Sequence, residues 1–192
     1  MKSQLRDIAN IRSGYPFRGR VEPALDGEFR VVQIKDISQN ARLESGDMLR
    51  IDLPDVRHDY LLKTGDVLFA SRGTRKQAVV IDDDLENTTF GTQFFAIEAR
   101  DGVLPAYLAW YINQQPAQRY LEEHSMGSNV RIVTKEALSR MPIQMPPLDV
   151  QRKVVEVHRL SLKEKELMRA IETKRSQLVE TALLGIIESK IK

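Results

Sequence analysis

Three short segments combine glycine with side chains that can grip a polyanion or read a hydrogen-bonding edge. Residues 13–20 (SGYPFRGR) place Arg18 and Arg20 beside two glycines, with Tyr15 and Phe17 offering flat surfaces. Residues 71–77 (SRGTRKQ) put Arg72, Arg75 and Lys76 on a tip that Gly73 leaves flexible. Residues 125–131 (SMGSNVR) hold Ser128, Asn129 and Arg131. Duplex DNA calls for this mixture. Lys and Ser contact phosphates and set register. Arg pairs bidentately with guanine, and Asn or Gln with adenine, in the major groove. Gln33 and Lys35, in an apolar run upstream, add an amide and a cation, although alternate positions of a strand can face inward. Taken singly, each loop also reads as an ordinary polar turn.

Other chemistries lack their residues. There is no GxGxxG, no GxxxxGK[ST] and no GxSxG, so the usual phosphate cradles and the nucleophile elbow are missing. The histidines, His58, His124 and His158, stand far apart in sequence, and each reads as a surface or interface residue. The run Asp82, Asp83, Asp84 with Glu86 could be taken for a metal cluster, but a solvated turn is the simpler reading. Asp55 and Asp66 have no following acid-x-Lys of a metal-dependent nuclease within the same local unit, and Glu188-Ser189-Lys190 lies far along the C-terminal helix. No catalytic residue, metal site or cofactor is expected.

The 192 residues contain no cysteine, which excludes a disulfide scaffold and thiolate chemistry. No apolar run is long enough to cross a bilayer. Arg6, Asp7 and Arg12 stand where a secretory leader would need an apolar stretch, so a cytoplasmic, membrane-free location is expected. Net charge is +2. Residues 1–148 carry 19 basic against 20 acidic side chains, and residues 149–192 carry 10 against 7. A surface for nucleic acid must therefore be a local patch on a mixed-charge body.

The elements that position these loops divide at residues 142–147 (PIQMPP), where three prolines favour extended chain. Upstream, residues 29–35, 66–70, 77–81 and 93–98 are short β-branched or aromatic runs bounded by turn signals. Residues 105–113 and 116–123 read as helices, each opened by proline. Residues 129–133 are extended, and Thr134 can cap a turn over 135–140. Strands first and helices later indicate an α+β fold with a mixed, largely antiparallel sheet.

Downstream, residues 149–188 read as one helix capped by Asp149. Forty residues span about 60 Å. A seam through Leu160, Glu164, Leu167, Ile171, Lys174, Leu178 and Thr181 follows the four-three step of a coiled coil. Three of those seven places are polar. The helix either lies along its own domain or pairs with another helix, and its charged middle favours pairing.

In the order of these motifs the chain resembles the specificity subunit of type I restriction-modification systems. Ser13-Gly14-Tyr15-Pro16-Phe17 is similar to the family's glycine-x-proline-phenylalanine start. Gln33-Ile34-Lys35-Asp36-Ile37, Gly65-Asp66-Val67-Leu68 and Ser71-Arg72-Gly73 resemble its central strands. Tyr107-Leu108 and Gly127-Ser128 fall at its late helix and following loop. The stretch from Pro142 through Leu148 and Gln151 to Val155 resembles its junction with the long helix. Full-length members carry two recognition domains and two such helices, whereas this sequence holds one of each.

The resemblance implies a non-enzymatic reader of double-stranded DNA. Residues 1–147 would form the recognition domain and 148–192 the helix that dimerises and docks modification subunits. Those subunits carry the methyltransferase chemistry and S-adenosylmethionine. The DNA contacts would be Arg18, Arg20, Gln33, Lys35, Arg72, Arg75, Lys76, Ser128, Asn129 and Arg131. Leu160, Leu167, Ile171 and Leu178 would join two copies through a coiled coil. The competing reading is a coiled-coil interaction scaffold whose loops bind no DNA.

Overall fold

The computed structural model describes residues 2–190 except 20, 39, 54–55, 74–75, 83–84 and 128–129, with side chains as far as 187. The chain forms two compact units, Met1–Arg152 and Lys153–Lys192.

The first unit opens with strand β1 (Lys2–Gln4), the single-turn helix α1 (Leu5–Ile8) and strand β2 (Ala9–Ser13). Strands β3 (Phe29–Val32), β4 (Leu49–Ile51), β5 (Val67–Ala70), β6 (Ala78–Val80), β7 (Thr88–Phe90) and β8 (Phe94–Ala99) follow. Helices α2 (Pro105–Ile112), α3 (Gln115–Glu123) and α4 (Lys135–Ser139) come next, then strand β9 (Pro142–Gln144) and the long helix α5 (Leu148–Lys190). The α+β class and its largely antiparallel pairing stand. Among the described residues the strands fall into three sheets, β2-β8-β5-β6, β4-β3-β7 and β1-β9, and β3 with β7 is the parallel strand pair.

The side chains explain the layers. Val67, Leu68, Phe69 and Ala70 of β5 are all buried because this central strand is covered on both faces. Leu68 and Ala70 join Val79, Ile81, Phe90, Phe94 and Ala96 in one core. The alternate positions of β5 face the other way, where Tyr107, Leu108 and Ile112 are buried on α2, which packs on β5 and β6. Phe29, Val31 and Ile51 form a second core in the smaller sheet. Edge strand β6 is tied down by Asn113, whose amide accepts from Ala78 N at 2.9 Å and donates to Ala78 O at 2.7 Å. That double bond blunts one end of an edge that would otherwise offer itself to another strand.

One buried ion pair braces the frame. Arg12 on β2 pairs with Asp66, which is 2 % exposed. Arg12 also donates to the carbonyls of Asp59 at 2.8 Å and Leu61 at 2.9 Å, while Asp66 accepts from Lys63 N at 2.9 Å. Removing one partner of such a pair strands a charge and costs about 3–5 kcal/mol.

Two helix starts differ in how they are capped. Thr134 caps α4 as its type suggests, accepting from Ala137 N at 3.1 Å. Helix α5, by contrast, begins at Leu148, and Pro147 O accepts from Gln151 N at 3.0 Å. Pro147 therefore takes the cap position that the sequence suggested for Asp149, and Asp149 sits inside the first turn, where its charge suits the helix dipole.

The first turn of α5 is built into this unit by Gln151, 1 % exposed. Its Oε1 accepts from Leu104 N at 2.9 Å, and its Nε2 donates to Gly102 O at 3.0 Å and Pro146 O at 2.9 Å. Tyr107 Oη donates to Gln144 O at 2.6 Å beside it.

The second unit is helix throughout its described residues. Glu156–Arg159 and Lys163–Glu166 pair along its surface. Leu160, Leu167, Ile171 and Leu178 are each more than half exposed.

Candidate nucleic-acid interface

Residues 71–77 leave the central strand β5 under tight control. Ser71 is buried, donates from Oγ to Gln93 O at 2.9 Å, and accepts from Val133 N at 2.9 Å. Arg72 is exposed. Gly73 has φ +104, a left-handed conformation that a side chain would strain. Lys76 does not ride a free tip as the sequence suggested. Its backbone carbonyl accepts from Gln118 Nε2 at 2.9 Å, and its Nζ donates to Ser125 Oγ at 3.2 Å. Burial lowers its pKa; Glu122 opposes this and Arg131 adds to it.

In the third loop, Met126 and Ile132 exchange paired backbone bonds at 2.9 and 2.8 Å. Gly127 turns it at φ +101, and a Cβ there would meet Val130 O at 2.5 Å. Arg131 is exposed and donates to Glu122 O at 3.4 Å. Lys76, Ser125, Glu122 and Arg131 thus join the second and third loops on one surface.

Gln33 and Lys35 correct the sequence reading. Strand β3 ends at Val32, and Ile34–Asp36 is a 3-10 turn. Asp36 folds back to accept from Gln33 N at 2.8 Å, which breaks the extended chain. Gln33 is half-buried and Lys35 exposed. Burial pushes the Asp36 carboxyl up, against the Gln33 hydrogen bond and the nearby Lys35 charge, with Glu44 adding to the rise. The turn borders the second loop, since a Cβ on Gly73 would stand 3.7 Å from Ile34 Cδ1.

The first loop is seated elsewhere. Gly14 lies so close to β7 that a Cβ would meet Gly91 O at 2.1 Å, so here glycine serves close approach rather than turning. Tyr15 and Phe17 do not present free faces. Their rings lie 4.9 Å apart, Tyr15 meets Tyr60 edge-on at 5.3 Å, and Phe17 packs on the Phe29–Val31–Ile51 core. Arg18 is exposed over a concavity that it shares with Glu22 and Asp52. Mixed charge makes that hollow a poor cradle for phosphate.

The structure therefore groups Lys76 and Arg131 about Glu122 and Ser125, sets the turn that holds Gln33 and Lys35 against Gly73 beside Arg72, and places Arg18 over its own hollow. Arg20, Arg75, Ser128 and Asn129 lie outside the described residues. Sequence reasoning missed Ser125, Gln118 and Asn113, which hold and aim the second loop; their distance along the chain gives no local signal. Among the described residues no group of acids, histidines or cysteines could hold a metal ion. Among them, too, no helix is long and apolar enough to cross a membrane.

This arrangement has a family. Residues 1–179 match the type I restriction modification DNA specificity domain, and the chain belongs to that family. The fold is similar to that of the HsdS subunit from Thermoanaerobacter tengcongensis, at 20% identity and TM-score 0.65, covering 88% of this chain and 39% of that one. A structure from work on complex assembly and conformational transition of the type I R-M system matches at 20% identity and TM-score 0.66, covering 88% of this chain and 40% of that one. The S subunit from M. genitalium matches at 11% identity and TM-score 0.55, with coverage of 88% and 40%. The chain thus spans about two fifths of the length of these structures. No curated protein matches it.

Proposed function

We propose that this chain reads double-stranded DNA sequence as the specificity subunit of a type I restriction-modification system. Two copies would act together, and modification subunits would supply the methyltransferase and nuclease chemistry. The observation that carries the reading is the Lys76–Ser125 bond. It joins two glycine-cation loops into one surface in a chain of the DNA specificity domain family. Lys35, Lys76 and Arg131 then set register on phosphates, while Arg72 and Gln33 reach base edges. Arg20, Arg75, Ser128 and Asn129 belong to the same proposal by their place in these loops. Arg18 contributes from the flank. Two copies joined along Leu160, Leu167, Ile171 and Leu178 would present two such surfaces, and a two-fold pair requires an interrupted palindrome.

The test is Arg72→Ala in competition binding. Affinity for the specific duplex should fall by about 1–3 kcal/mol, with discrimination relaxed at one base position. An equal loss on every sequence would move Arg72 to a phosphate. No loss on any duplex would remove Arg72 from the interface, and a wild-type chain that binds no duplex would favour the scaffold reading.

A further inference from the structure

Cations alone hold any duplex, so a cationic surface that selects sequence needs contacts that differ between base pairs. The structure supplies a second kind of contact. Among the described residues of Met1–Arg152, six large hydrophobic side chains are exposed: Leu25, Ile34, Met126, Val130, Leu148 and Val150. Scattered singly, such residues need no explanation. Three of the six, however, border the cationic loops, with Ile34 at 43%, Met126 at 67% and Val130 at 54% exposure.

Their positions are fixed by the bonds already described. Ile34 sits over Gly73, next to Arg72, with Lys35 beside it in the turn. Met126 follows Ser125, which accepts from Lys76. Val130 precedes Arg131, and its carbonyl oxygen stands 2.5 Å from where a Cβ on Gly127 would be. Each aliphatic group is therefore a chain neighbour of a cation, or within one residue of a cation's partner. A protein partner would favour a contiguous apolar patch with charge at its rim. Interleaved cations and aliphatic groups suit a polyanion with apolar spots. Duplex DNA has one such spot in its major groove, the thymine C5-methyl.

We propose that Ile34, Met126 and Val130 are specificity-determining residues that recognise thymine methyl groups. The inference rests on the DNA-reading function above and adds a base class to it. The cations hold the loops against the backbone, and the aliphatic tips distinguish T·A pairs from pairs without a methyl.

The experiment replaces thymidine by deoxyuridine, one position at a time, which deletes the methyl and keeps every hydrogen-bonding group. The full chain, alone and with modification subunits, is first used to select its site from a random duplex pool. At one or more positions deoxyuridine should weaken binding by about three- to fivefold, the worth of one buried methyl. Met126→Ala, Ile34→Ala or Val130→Ala should abolish that loss at its own position while leaving the unfolding midpoint unchanged. Deoxyuridine that is neutral everywhere in a selected site, or a selected site without a T·A pair, would overturn the inference and leave the reader intact. A pool from which no sequence is enriched would overturn both.

Discussion

Lys76 shows how much of a residue's behaviour lies outside its own segment. Its glycine-flanked, cation-rich neighbourhood was legible, and so were Arg72 and Arg131. That Lys76 would be tethered to Ser125, 49 residues away, was not legible, because no local pattern encodes a tertiary partner. The same holds for Tyr15 and Phe17, whose rings turned inward to Tyr60 and the Phe29 core. The tether has a consequence for pH. Burial lowers the Lys76 pKa, so its charge is lost at lower pH than that of an ordinary lysine. A phosphate partner favours the charged form, so binding takes up a proton once pH passes the lowered value. DNA affinity should then fall as pH rises from neutral into the alkaline range, measured by fluorescence anisotropy. Lys76→Arg, charged throughout that range, should flatten the profile, with Arg131 and Glu122 still beside it. A wild-type profile as flat as that of Lys76→Arg would show that Lys76 does not meet phosphate.

At the scale of elements, the dense apolar runs announced themselves, while β2, whose ANIRS mixes polar and apolar residues, and most of the three-residue strands did not. Helices α2 and α3 begin near their prolines, and β5, β6 and β8 fall within the apolar runs that indicated them. Strands β1, β4, β7 and β9 have three residues each, too few for alternation to register. They form because partners distant in sequence complete their backbone bonds: β1 pairs with β9 across the whole unit. Residues 29–35 look like one strand, yet Asp36 captures Gln33 N and ends it at Val32. The junction into α5 was visible as proline followed by Leu148 and Gln151. What Gln151 does there was not, since its three bonds reach the 102–104 turn and Pro146. Gln151→Ala should leave Leu104 N and Gly102 O without a partner and cost about 1–3 kcal/mol. Urea unfolding measures this as a lowered midpoint at unchanged slope. An unchanged midpoint would mean that water replaces the amide without loss.

For the whole molecule, near-balanced charge hid a local surface. Residues 1–148 carry 19 basic and 20 acidic side chains, yet Lys35, Arg72, Lys76 and Arg131 gather at adjacent turns. Sequence could not show this gathering, because it depends on how the β3–β4–β7 sheet meets the β5 loop. The four-three step of α5 suggests a pairing seam, and Leu160, Leu167, Ile171 and Leu178 are exposed along the helix. Replacing Leu167 and Ile171 together by Glu should turn dimers into monomers in light scattering. Dimers that survive the change would place the contact elsewhere. The central claim is that the chain reads DNA sequence as a symmetric pair. Its most direct test is selection of a random duplex pool at about 100 mM salt, because lower salt inflates sequence-blind binding. The predicted result is enrichment of two inverted half-sites at one fixed spacing. Retention of no sequence above the starting pool, by the chain alone and with modification subunits, would contradict it.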